Sequence, residues 1–176
     1  ANCRLIDADE ARLTFAGDGT AALLLLAFES ADFDVESWLR LGLECCGDHG
    51  GDWDRADGGE GRGEGGGAAE TWRESFTRAP YLRDTFVAMG VISETFESAI
   101  TWDRFEAFHD RVKAATQSAI RSATGRDGLV TCRVTHVYPD GPAPYFSFHA
   151  LGRHGGLIEQ WQEIKASASD ALIDAG

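Results

Sequence analysis

The sequence contains no run of roughly 18 apolar residues of the kind that crosses a bilayer as a helix. Its opening, ANCRLIDADE, has no charged segment followed by a short apolar one, as a secretory leader would. Basic residues are few: 16 Lys and Arg stand against 29 Asp and Glu, a formal net charge of −13. No basic stripe is available to neutralise a phosphate backbone, which excludes nucleic acid as a partner, and an anionic membrane surface would repel the chain. Cysteine is also sparse. The four present (Cys3, Cys45, Cys46, Cys132) form no metal-binding C-x-x-C pair, and the adjacent Cys45-Cys46 is an awkward start for a structural disulfide. Reduced thiols and a cytoplasmic location are the expectation.

What is there suits a folded globular chain. Apolar residues make up 43% and aromatic ones 10%, and 176 residues suffice for one domain with a sizeable core. DADEARL has short helical character, and the apolar run TAALLLLAFES (20–30) reads as a buried strand. In DFDVESWLRLGLECCGDHGG, Val35, Trp38, Leu39 and Leu43 share a helical face, with acidic residues at the end where the helix dipole is positive. The glycine-rich, charged stretch 47–67 predicts a flexible loop, since it lacks the strand and helix context of a phosphate-binding loop.

TWRESFTRAPYLRDTFVAMG (71–90) predicts two helical pieces, the second opened by Pro80 and carrying a stripe of Leu82, Phe86 and Met89, with Gly90 as its stop. VISETFESAI alternates as a strand with Ile92, Phe96 and Ile100 on one face, and Glu94 on that same face as a partner for a buried basic group. Residues 101–125 form a helix with Phe105, Phe108, Val112 and Ile120 inward and Gly125 as its stop, and a final helix carries Leu157, Trp161, Ile164 and Leu172. The order predicts an α+β fold with ferredoxin-like elements: a four-stranded antiparallel or mixed sheet, helices mainly on one face, and the other face bare.

Between the last two helices, GLVTCRVTHVYPDGPAPYFSFHALG is a hairpin turned by Pro139-Asp140-Gly141-Pro142. Val130, Cys132 and Val134 share one parity, continued by His136, and Phe146, Phe148 and Ala150 share the matching one. Arg133, Thr135, Tyr145, Ser147 and His149 then point the other way. Such a face is either solvated or the wall of a site: an arginine near a tyrosine and a histidine on a rigid sheet can bind an anion and move a proton. His109 and His154 read as surface residues, and His136 as a core histidine.

Five stretches in one order, NCRLIDADEA, APYLRD, ETFESAITWDRF, CRVTHVYPDGPAPYF and QWQEIKASASDALIDAG, resemble the C-terminal region of FAD-linked oxidases of the vanillyl-alcohol oxidase superfamily, in particular its alkyldihydroxyacetonephosphate synthase branch. The resemblance implies a cap domain that covers a flavin bound by the protein's own N-terminal FAD-binding domain, which is then the main partner. The FAD-domain glycine motifs are missing from this stretch, so it is expected to be a substrate-binding fragment of a larger flavoprotein, without FAD of its own. The branch exchanges the acyl group of an acyl-dihydroxyacetone phosphate for a fatty alcohol, with no net redox change. Its motifs place a catalytic arginine on Arg83 and a proton-transferring tyrosine on Tyr145, with Arg133, Ser147 and His149 as substrate-binding candidates for a lipid-like or small anionic substrate. A run of three histidines is expected beyond Gly176, and a homodimer, peripheral to a membrane when whole, is the expected assembly.

Two other readings compete. Caps of D-lactate- or glycolate-oxidising relatives use an H-x-G-D-G-N-x-H stretch for a divalent metal, but HVYPDGPAPY has neither the Asn after Asp140-Gly141 nor a nearby second His. A stand-alone α+β binding module without enzymatic activity would be distinguished by the absence of a flavin domain encoded upstream.

Overall fold

The computed structural model describes residues 2–53 and 67–176. Its elements run β1 (Asn2–Ile6), α1 (Ala8–Leu13), β2 (Leu23–Ala27), α2 (Glu36–Asp48), α3 (Ala68–Ala88), β3 (Val91–Glu97), α4 (Trp102–Thr124), β4 (Leu129–Val137), β5 (Pro142–Leu151) and α5 (Leu157–Ala175). The strands form one sheet in the order β2-β1-β4-β5-β3, each neighbouring pair antiparallel. The α+β class holds, with five strands rather than four. The additional strand is β1, whose five residues NCRLI are half-buried on both parities apart from exposed Asn2 and buried Ile6, and so show no clear apolar-polar contrast.

The period-2 pattern of the hairpin sets the main core. Val130, Cys132, Phe146, Phe148 and Ala150 meet Phe108, Val112, Ile120 and Ile164 from α4 and α5, with Ile92 and Phe96 of β3 completing it. Glu94 lies on this face. Burial pushes its carboxyl up, but donors from Thr95 N, Trp161 Nε1 (2.6 Å) and Lys165 outweigh that and hold it below the usual range. Gly125 ends α4 at φ 70°.

The opposite face is not bare. Ile6, Ala11, Ala16 and Trp72 form a second, smaller core there with Leu23 and Leu25, so α1 and α3 overlie the β1–β4 side of that face. Asp7 locks α1 in place. Its Oδ1 accepts from Glu10 N at 2.7 Å, and its Oδ2 accepts from Cys132 N and Lys113 Nζ, each at 2.8 Å.

Several local expectations change. The two helical pieces are one helix, α3, with Pro80 inside it. Pro80 and Phe76 are both exposed, so water can reach the Phe76 carbonyl that Pro80 cannot serve. The sheetward stripe of α3 is Trp72, Phe76 and Phe86, while Leu82 and Met89 are exposed. His136 is exposed, because a register shift between Val134 and His136 turns it out of the core to stack on Tyr138. His109 is half-buried, its ring stacked on Phe146 at 6.1 Å. β2 is an edge strand with two exposed residues rather than a buried one. Of the loop expected over 47–67, residues 54–66 lie outside the described residues; α2 continues to Asp48 and α3 opens after Gly67. All four cysteines are unbridged, and among the described residues no helix is long and apolar enough to cross a membrane.

Candidate functional site

The site candidates gather on the sheet face away from α4 and α5. Register places Arg133 opposite Tyr145, Thr131 opposite Ser147 and Leu129 opposite His149 across the β4–β5 ladder. On the other side of β5, Glu97, Thr95 and Ser93 continue the same three rows. Directly opposed side chains on one face stand close enough to interact. Here they do: the Arg133 guanidinium carbon lies 4.2 Å from the centroid of the Tyr145 ring, a cation–π contact.

Arg133 is held from three sides. Its Nη1 donates to Glu10 Oε1 at 2.8 Å, and Phe76 of α3 stands 5.7 Å from its guanidinium carbon. Glu10 is only 3% exposed, and its second oxygen accepts from Thr131 Oγ1 at 3.2 Å. One turn of α1 thus delivers a buried carboxylate to the middle of the sheet face. Arg4 of β1 projects from the same face over Trp72 (5.3 Å) and Phe76 (6.0 Å). Ser147 is buried, and His149 meets the ring of Phe86 edge-on at 5.5 Å. Burial pushes the His149 imidazole below its ordinary value, because the charged form loses water.

Arg83 is placed only by its position on α3. It follows Phe76 by roughly two turns and precedes Phe86 by roughly one, so it shares the α3 stripe that touches the sheet. It is exposed and, among the described residues, makes no hydrogen bond or ion pair. Arg133, Tyr145, Ser147 and His149 are therefore assembled on one face, while Arg83 lies on α3, exposed and not brought into contact with them among the described residues. Sequence reasoning did not single out Glu10, Arg4 or Phe76. The signal for Arg4 was the shared parity of Arg4 and Ile6 in NCRLI; nothing in the sequence paired Glu10 with a residue 123 positions away.

The described residues leave three buried nitrogens on this face without a partner: Arg4 Nε, Arg133 Nε and His149 Nδ1. Buried polar atoms are ordinarily satisfied, so these fit a polar group that the chain itself does not supply. Among the described residues no group of three His, Cys, Asp or Glu side chains is arranged to hold a metal.

Comparison with known proteins agrees with this architecture. The family model for the C-terminal domain of FAD-linked oxidases matches residues 1–176. An alkyldihydroxyacetonephosphate synthase of Caenorhabditis elegans is 34% identical over 54% of this chain, a match covering 16% of the relative. Two solved structures of alkyldihydroxyacetonephosphate synthase, in P212121 and P1 crystal forms, superpose with TM-scores of 0.75 and 0.73 at 18% and 17% identity. Each superposition covers 99% of this chain, and 34% and 33% of the solved chains respectively, so the chain spans about a third of their length. By its description the family is the C-terminal domain of enzymes linked to FAD. The chain belongs to the family of FAD-linked oxidase C-terminal domains.

Proposed function

We propose that this domain is the substrate-binding cap of an FAD-dependent enzyme of the alkyldihydroxyacetonephosphate synthase kind, which exchanges acyl for alkyl on dihydroxyacetone phosphate in ether-lipid synthesis. One observation carries the reading. Tyr145 stands on the sheet face outside the α4–α5 core, backed by Arg133 and overhung by the helix that bears Arg83. The likeness to the nematode enzyme and to the two solved structures supports the choice of branch.

FAD, held by the remainder of the whole protein, would supply the reactive ring system beside this face. The chain's own residues then have separable tasks. A phenol titrates near pH 10 in water, so Tyr145 needs local positive charge to carry a proton. Arg133 lies against its ring but is largely neutralised by Glu10. Arg83, exposed and without a partner among the described residues, is the guanidinium available to grip a leaving carboxylate by two parallel hydrogen bonds. Ser147, buried in β5, and His149, edge-on to Phe86, would line the substrate beside Tyr145.

The test is an assay of the full-length flavoprotein with an acyl-dihydroxyacetone phosphate and a long-chain alcohol. Formation of the ether product with release of the fatty acid is the expected result. Oxidation of a 2-hydroxy acid in its place, or turnover of neither, overturns the proposal.

A further inference from the structure

The side of β1 turned away from the Tyr145 face carries chemistry of its own. Side chains alternate along the strand, so Cys3 lies on the side of Leu5, opposite Arg4 and Ile6. Leu5 lines a small apolar cavity with Phe105 and His109 of α4, which makes this the α4–α5 side of the sheet. Cys3 is registered against Leu26 of β2. On the same side, the bare backbone of Gly42 lets α2 settle close to that pairing: a β-carbon there would stand 2.7 Å from Leu26 Cδ2.

α2 runs back along β2. Trp38 stands beside Phe28, with 6.4 Å between ring centroids, and Gly42 stands above Leu26. Cys46 follows Gly42 by four residues, one turn further along the same helix face, which brings it over the β1–β2 pair. Cys3 and Cys46 are free and half-buried, whereas the neighbouring Cys45 is exposed. The two half-buried thiols also sense each other: burial, and after it Cys46, push the Cys3 thiol above its ordinary value. None of the residues of α2 is buried, so this helix is held to the sheet by few apolar contacts.

We infer that Cys3 and Cys46 form a reversible disulfide, a redox latch that fastens α2 to β1. The oxidant is a low-molecular-weight disulfide of the glutathione class. The Cys46 thiolate attacks one sulfur of the oxidant, whose S–S bond breaks, and the first small thiol leaves with the proton that Cys46 gave up. The Cys3 thiolate then attacks the Cys46 sulfur of the mixed disulfide; the Cys3–Cys46 bond forms and the second small thiol leaves with the proton of Cys3. The two protein thiols lose two electrons in all, and the oxidant gains them. Bridging requires the two α-carbons to lie within about 7 Å, so the bond forms only with α2 seated on the sheet.

The experiment treats the FAD-loaded full-length protein with oxidised glutathione, alkylates the remaining thiols and maps disulfide-linked peptides by mass spectrometry. A peptide pair joined through Cys3 and Cys46, and lost on treatment with dithiothreitol, is expected in the wild type and in Cys45→Ser. The oxidised wild type should also melt at a higher temperature than the reduced protein, because the closed loop restricts the unfolded chain. That upward shift should vanish in Cys46→Ser, a change on a helix with no buried residue that leaves the fold intact. Glutathione held only as a mixed disulfide on Cys45, a bridge between Cys45 and Cys46, or a Cys3 that stays reduced overturns the inference. So does a Cys3–Cys46 bridge that leaves the melting temperature where it was, since it would fasten nothing. Neither readout depends on which reaction the flavoprotein performs.

Discussion

The guanidinium of Arg133 lies 4.2 Å over the ring of Tyr145, directly across the β4–β5 ladder. One face of the phenol ring is thereby committed to a cation that Glu10 already holds at 2.8 Å. The arrangement fixes the plane of the tyrosine without engaging its hydroxyl. Stability and proton chemistry at this pair should therefore separate under mutation.

Arg133→Met tests the stability half. Removing the guanidinium strands Glu10, which is 3% exposed, and breaking one partner of a buried pair typically costs about 3–5 kcal/mol. Urea unfolding should show a loss of that order. Adding Glu10→Leu to the same protein should restore most of it, since the double variant leaves no buried charge unpaired.

His149 sets a pH dependence. Its folded-state value is depressed by burial from an ordinary value of 6.5, so below about pH 6.5 the unfolded chain binds more protons at this position. The stability it contributes is complete above that pH and is lost as pH falls towards the folded value. His149→Phe should flatten the part of the acid-side decline that lies just below neutrality, measured as the difference in denaturation midpoint between variant and wild type. An identical pH profile in both proteins would contradict the burial argument.

The hairpin turn gives a steric test. A β-carbon at Gly141 would strike the carbonyl oxygen of Ile100, a backbone atom that cannot rotate away. Gly141→Ala should lower stability by about 1–3 kcal/mol or more, the range for forcing an atom into filled space. Alanine at Gly90, where the added carbon meets nothing but φ is 79°, should incur only the smaller left-handed backbone penalty.

Thiol reactivity separates the cysteines. Burial pushes the Cys132 thiol up, the neighbouring Asp7 and Glu10 add to that, and Lys113 and Arg133 offset it only in part. Cys45 is exposed. A thiol-specific reagent at mildly alkaline pH should label Cys45 in the folded protein and Cys132 only after unfolding.

Strong periodicity was legible and weak periodicity was not. Phe108, Val112 and Ile120 at helical spacing, and Val130, Cys132, Phe146 and Phe148 at strand spacing, determined the α4–α5 face of the sheet from the sequence alone. β1 was hidden because Asn2 and Arg4 share the parity of its one buried residue, Ile6. Pro80 suggested a break that an exposed helix tolerates. The parity argument put Arg133, Tyr145, Ser147 and His149 on one face, and the structure shows them there. It gave no view of α1 and α3 above that face, because their placement depends on contacts such as Glu10 with Arg133 and Ser75 with Thr14 that span long stretches of chain.

The account turns on whether the Tyr145 face is where the chemistry happens. Tyr145→Phe keeps the ring, its contact with Arg133 and its strand pairing, and removes only the hydroxyl. In the full-length flavoprotein, turnover of the acyl-for-alkyl exchange should fall by about 10²- to 10⁴-fold, the range for a placed proton-transfer group, while the melting temperature stays at the wild-type value. Unchanged turnover in a folded, FAD-loaded Tyr145→Phe protein would contradict the account and make this sheet face a structural surface.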